Sequence, residues 1–121
     1  MILTIDIGNT SISAAIWKGS RISLRHSFET TASQAKLSKQ VGSFLSKFSS
    51  SRNRLSQIVL CSVVPDKTKL IEKAVWAKLH MKVQVVGRDI IVPIKNNYYR
   101  PKQVGQDRLL GAYAVKELYG I

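Results

Sequence analysis

MILTIDIGNT, residues 1–10, decides the fold. Residues 2–7 are all Ile, Leu or Thr apart from Asp6. That composition suits a central strand covered on both sides. Gly8-Asn9-Thr10 is a turn signal. A carboxylate in such a strand is costly without a partner, so Asp6 needs a reason. At the C-terminal end of a central strand it faces the crevice where ligands bind in open α/β sheets. Gly8, Asn9, Thr10 and Ser11 form a turn of small residues and hydroxyls, and a glycine there lets backbone N–H groups approach a phosphate. Asp6 beside that turn can hold Mg²⁺ directly or through water. The bland reading is an Asx-type turn before Gly. The cost of placing a carboxylate there favours the ligand reading.

Outward from this strand, Ile12, Ala14 and Ile16 alternate with Ser11, Ser13, Ala15 and Trp17. Lys18-Gly19-Ser20 is a second tight turn. Ile22, Leu24, His26 and Phe28 then alternate with Arg21, Ser23, Arg25 and Ser27, as in an edge strand with one wet face. Short turns between three successive strands predict an antiparallel meander. Thr31-Ala32-Ser33-Gln34 reads as a capping box. Leu37, Val41, Phe44, Leu45 and Phe48 then predict a helix over 32–48. Residues 49–54 are a polar loop, and IVLCSVV at 58–64 is a buried strand. Pro65 opens a second helix, with Asp66 in its first turn. It runs to about His80, with Leu70, Ala74 and Ala77 inward. KVQVVG at 82–87 is a further strand, and 88–104 is irregular. The last helix spans 105–119, with Leu110, Ala114 and Leu118 on one stripe and Gly120 as its stop. The predicted order is βββαβαβα, an α/β fold on a mixed sheet with helices on both faces.

The 121 residues suffice for one domain with a core. The net charge is +12. Residues 18–54 hold Lys18, Arg21, Arg25, Lys36, Lys39, Lys47, Arg52 and Arg54 against Glu29 alone. That excess favours anionic partners, nucleotides and nucleic acid among them, or it is a solvated basic face. Cys61 is the single cysteine, which excludes an internal disulfide and a zinc centre built on thiols. Its apolar surroundings mark a structural thiol. His26 and His80 read as structural, and Trp17 and Trp76 as packing residues, Trp76 also suiting a dimer face. No segment approaches the roughly 18 apolar residues of a membrane span. The N-terminus lacks a basic region and Asp6 breaks any apolar signal core, so a cytoplasmic protein is expected.

A second constellation lies at YYRPKQVGQDR, residues 98–108. Asp107 and Arg108 fall at the start of the last helix, where an acidic residue is itself stabilising. With Tyr98 or Tyr99 and Gly105 they also make a polar pocket. Asp can accept a proton from a substrate hydroxyl, and Arg can bind a carboxylate or phosphate through its fork.

These constellations, with CSVVPD at 61–66 and VGRDIIVPI at 86–94, run on through YYRPKQVGQDRLLGAYAVKELYG at 98–120. Together they resemble type III pantothenate kinase, a family of the actin-like ATPase and sugar-kinase superfamily with its ribonuclease H-like domains. The resemblance implies ATP-dependent phosphorylation of pantothenate, the first step of coenzyme A synthesis. It implies that Asp6 helps hold the metal and phosphates, and that Gly8, Asn9, Thr10 and Ser11 form the first phosphate loop. Asp107 would be the general base or orienter for the pantothenate hydroxyl. Tyr98 (or Tyr99), Gly105 and Arg108 would line the pantothenate pocket. ATP, Mg²⁺ and a monovalent cation, K⁺ or NH₄⁺, are the implied cofactors, and a homodimer is the implied assembly.

The family is a two-domain protein of roughly twice this length, in line with about 100–150 residues per domain. Residues 1–121 are therefore expected to be the first domain and to lack turnover without the second. The rival expectation is a non-catalytic relative that uses its basic face on nucleic acid or a protein partner.

Overall fold

The structure is a computed structural model and describes residues 1–50, 54–91 and 93. Strands β1 (Ile2–Ile7), β2 (Ser11–Lys18) and β3 (Arg21–Glu29) come first, followed by helix α1 (Gln34–Leu45) and a 3₁₀ turn (Ser46–Phe48). Then come β4 (Gln57–Ser62), helix α2 (Pro65–Leu79) and β5 (Gln84–Val85). They form one five-stranded sheet in the order β3-β2-β1-β4-β5. β1, β2 and β3 are antiparallel neighbours, while β1, β4 and β5 run parallel. The sheet is thus mixed, with β1 at its centre and β3 at an edge, as the meander pattern predicts.

Period-two alternation selects the core. Leu3, Ile5 and Ile7 share one face of β1 and lie beside Ile16, Ala14 and Ile12 of β2. Ile58 and Leu60 extend that face onto β4. Leu37, Val41, Phe44 and Leu45 of α1 and Leu70, Ile71 and Val75 of α2 close over it. Each of the Leu, Ile, Val and Phe side chains among them contributes about 1.5–3 kcal/mol of apolar burial. α1 and α2 also touch each other, so both described helices cover the same face. On the other face Thr4 is half-buried and Asp6 is exposed. The helix expected over 105–119 lies outside the described residues.

Several local expectations are corrected. The cap of α1 is Ser33, whose Oγ accepts the Lys36 N–H at 3.2 Å, and not Thr31. The chain leaves β3 through a turn closed by Ala32 N–H on the Glu29 carbonyl, which delays the helix by about half a turn. A register shift between Ile16 and Trp17 places Ile22 opposite Trp17. Ile22 thereby leaves the face shared by Leu24, His26 and Phe28. Ala77 is exposed, and the inward stripe of α2 is Thr68, Ile71 and Val75 with Leu70. β5 is shorter than predicted, because the chain turns at once into an 87–90 turn. There Gly87 N–H donates to the Ile90 carbonyl and the Asp89 carboxylate accepts the Val85 N–H at 2.8 Å.

Candidate functional site

The parallel pairing of β1 with β4 brings two strand C-termini to one end of the sheet. Ile7 pairs with Ser62 in register, and Val63 N–H donates to the Ile7 carbonyl at 3.1 Å. α2 begins directly beyond, with Pro65 in its first turn. Pro65 has no N–H to satisfy and its φ is already helical. The β1–β2 turn and the start of α2 therefore adjoin. This is the end at which α/β sheets bind ligands.

Asp6 sits one residue before Ile7. Its register partners are Ser13 on β2 and Cys61 on β4, and Ser13 pairs onward with Ser27 on β3. Ser27, Ser13, Asp6 and Cys61 thus form a row across one sheet face. The row borders a groove of about 720 Å³, which Thr4 and Arg25 also line. Asp6 is exposed, so the expected penalty of an apolar strand is avoided by facing away from the core. Cys61 is buried, in keeping with a structural thiol.

The 8–11 loop is tied down. Gly8 N–H donates to the Ser11 carbonyl at 2.9 Å. A Cβ on Gly8 would lie 3.2 Å from that same oxygen, so the glycine is there for close approach. Asn9, Thr10 and Ser11 are exposed. A residue that the sequence reading passes over also belongs to this site. Thr30, just beyond β3, is 3% exposed. Its hydroxyl donates to the Gly8 carbonyl at 2.8 Å and its N–H to the Thr10 carbonyl at 3.1 Å. Only the tertiary pairing of β3 with β2 reveals it. The local sequence offers just a threonine after a strand.

Of the predicted site residues, Asp6, Gly8, Asn9, Thr10 and Ser11 are brought together at this end of the sheet. Tyr98, Tyr99, Gly105, Asp107 and Arg108 lie outside the described residues. Among the described residues no three His, Cys, Asp or Glu side chains cluster as a metal cage. The exposed Asp6 carboxylate beside the 8–11 turn is of a kind that fits Mg²⁺, which keeps several waters and is commonly shared with substrate phosphates.

A family model described as type III pantothenate kinase matches residues 2–121. The chain belongs to this family. The type III pantothenate kinase of Desulfovibrio desulfuricans is 35% identical over 120 residues, which cover 98% of this chain and 46% of that protein. The type III pantothenate kinase of Agathobacter rectalis is 31% identical, with 99% and 47% covered. That of Sulfurihydrogenibium sp. is 33% identical, with 94% and 46% covered. The chain spans about half the length of the curated relatives it matches, aligning with a kinase family over nearly all of its own length. The mixed sheet with its helices is compatible with the actin-like ATPase fold that the family resemblance implies. Among the described residues no helix is long and apolar enough to cross a membrane.

Proposed function

We propose that residues 1–121 form the first domain of a two-domain kinase. That kinase transfers a phosphoryl group from ATP to the hydroxyl of pantothenate, giving 4'-phosphopantothenate for coenzyme A synthesis in the cytoplasm. The observation that carries this reading is the family match over 2–121. The meeting of Asp6 and the 8–11 loop where β1 and β4 end supports it.

Phosphoryl transfer asks a protein chiefly for positioning and charge stabilisation. The exposed loop at Asn9, Thr10 and Ser11 offers backbone and side-chain donors to phosphate oxygens. Asp6 would hold Mg²⁺, through water or directly. Bound Mg²⁺ would supply neutralisation of phosphate charge. Asp107 would accept the hydroxyl proton of pantothenate. Tyr98, Gly105 and Arg108 would seat the substrate. The K⁺ or NH₄⁺ requirement and the homodimer belong to the same proposal and rest on the family resemblance.

The test is pantothenate-dependent ADP formation with Mg²⁺ and K⁺. It is run on the enzyme with both halves, on its Asp107→Asn variant and on residues 1–121 alone. Turnover is expected only in the unmodified two-half enzyme. A measurable rate from residues 1–121 alone would overturn the half-enzyme reading. No turnover anywhere would favour the basic face as the working surface, on which Lys18, Arg21, Arg25, Lys36, Lys39 and Arg54 are all exposed. Steeply salt-dependent nucleic-acid binding would then be the expected signature.

A further inference from the structure

We propose that Thr30 is a positioning residue for the phosphate-binding amides of the 8–11 loop, an inference that rests on the reading of the site given above. Two polar side chains are buried among the described residues, Thr30 and Thr68. They satisfy their hydroxyls differently. Thr68 donates to the Val64 carbonyl four residues back, the local solution any helix offers. Thr30 donates to Gly8, 22 residues away in sequence.

A phosphate loop must present N–H groups and keep its carbonyl oxygens away from the anion, because those oxygens repel it. Thr30 engages two of the loop carbonyls, Gly8 through its hydroxyl and Thr10 through its N–H. The Ser11 carbonyl is taken by the Gly8 N–H. The N–H groups of Asn9 and Thr10 are not among the backbone donors that tie the loop to the rest of the fold. Three carbonyls are therefore committed inside the fold, at a loop whose Asn9 and Thr10 are exposed. Thr30 reaches this position because β3 pairs with β2 along its length, with Glu29 opposite Ser11. The end of the edge strand is thus delivered to the back of the loop.

The inference is tested on the enzyme with both halves, comparing Thr30→Val, Thr30→Ser and Asp6→Asn. Thr30→Val keeps the shape and removes the hydroxyl donor to Gly8, leaving the backbone N–H bond to Thr10. It is expected to raise KM for ATP about tenfold while KM for pantothenate stays within about twofold, and Thr30→Ser is expected to restore KM for ATP. An unchanged KM for ATP in Thr30→Val, with activity lost in Asp6→Asn, would overturn the role of Thr30 and leave the site standing. Full activity in Asp6→Asn would instead sink the reading of the site itself. If Thr30→Val does not fold, Thr30→Ala is measured in its place against Thr30→Ser. Failure of both to fold would make Thr30 a folding determinant and overturn the positioning role. A rise in both KM values together with a fall in kcat, unrescued by serine, would do the same.

Discussion

Two glycine turns sit at opposite ends of β2, and they solve different problems. At Gly19 the backbone adopts φ +62°, and a Cβ would meet nothing within 4 Å. That glycine is required for conformation alone, since the left-handed region is strained for other residues. Gly8 is outside that region, and its constraint is the Ser11 oxygen 3.2 Å from where a Cβ would stand. The first turn is held from behind by Thr30, whereas the second simply reverses the chain. The first turn, the one proposed to serve a ligand, is marked by crowding and a long-range tie; the second is marked by dihedral strain with open space around it.

Substitutions can break this contrast. The largest effect is expected from Asp6→Asn, which should lower kcat/KM of the two-half enzyme by at least about a hundredfold. Its melting temperature should hardly move, because Asp6 is exposed. A large loss of stability with little loss of activity would show that Asp6 is structural. Gly8→Ala comes next. Its Cβ meets a backbone oxygen that is already hydrogen-bonded, so a loss of about 1–2 kcal/mol is expected, together with a fall of about tenfold or more in kcat/KM for ATP. Gly19→Ala should lose about 1 kcal/mol from the left-handed backbone and leave ATP kinetics unchanged. Gly19→Asn should lose less, because asparagine tolerates that region better. Denaturant midpoints and ATP kinetics on the same variants separate the two glycines. Equal kinetic losses at both would erase the distinction.

The 87–90 turn sharpens the comparison, because charge holds it. Arg88 bridges Glu72, at 2.8 Å, and Asp89, at 2.9 Å. Hydrogen bonding from Arg88, and then from the Val85 N–H, lowers the Asp89 carboxyl below its ordinary value. A carboxylate lowered in the folded state adds stability that is present above the unfolded value, 3.8, and is lost as pH falls through the folded one. The group is solvent-exposed, so the effect is the smallest of the four. Melting temperature should decline on acidification below about pH 4 slightly more steeply in the parent than in Asp89→Asn. Identical slopes would show that Asp89 adds no pH-dependent stability.

Much of the fold was legible because its elements follow local periodicity. The alternation of Ile12, Ala14 and Ile16 and the helical spacing of Leu37, Val41, Phe44 and Leu45 each matched a buried face. The errors fell where a neighbouring element overrides the local pattern. The register shift at Ile16 and Trp17 turns Ile22 to the other face, and no spacing rule within β3 announces it. Ser33 displaces Thr31 as cap because the turn after Glu29 uses up the residues between. His26 follows its predicted inward register yet is exposed, stacked on Phe44 with centroids 5.2 Å apart.

The candidate site divides in the same way. Asp6, Gly8, Asn9, Thr10 and Ser11 are contiguous, so one short stretch of sequence carries their chemistry. Thr30 and the row of Ser27, Ser13, Asp6 and Cys61 come from four strands and a turn, and appear only once those strands are in register. The sequence by itself determined the order of the described strands and helices and the run of Asp6, Gly8, Asn9, Thr10 and Ser11, because these depend on side chains within a few residues of one another. Tertiary structure decided which face Asp6 occupies and what stands behind the loop. Those follow from pairing and packing between segments distant in the chain, which no local pattern encodes.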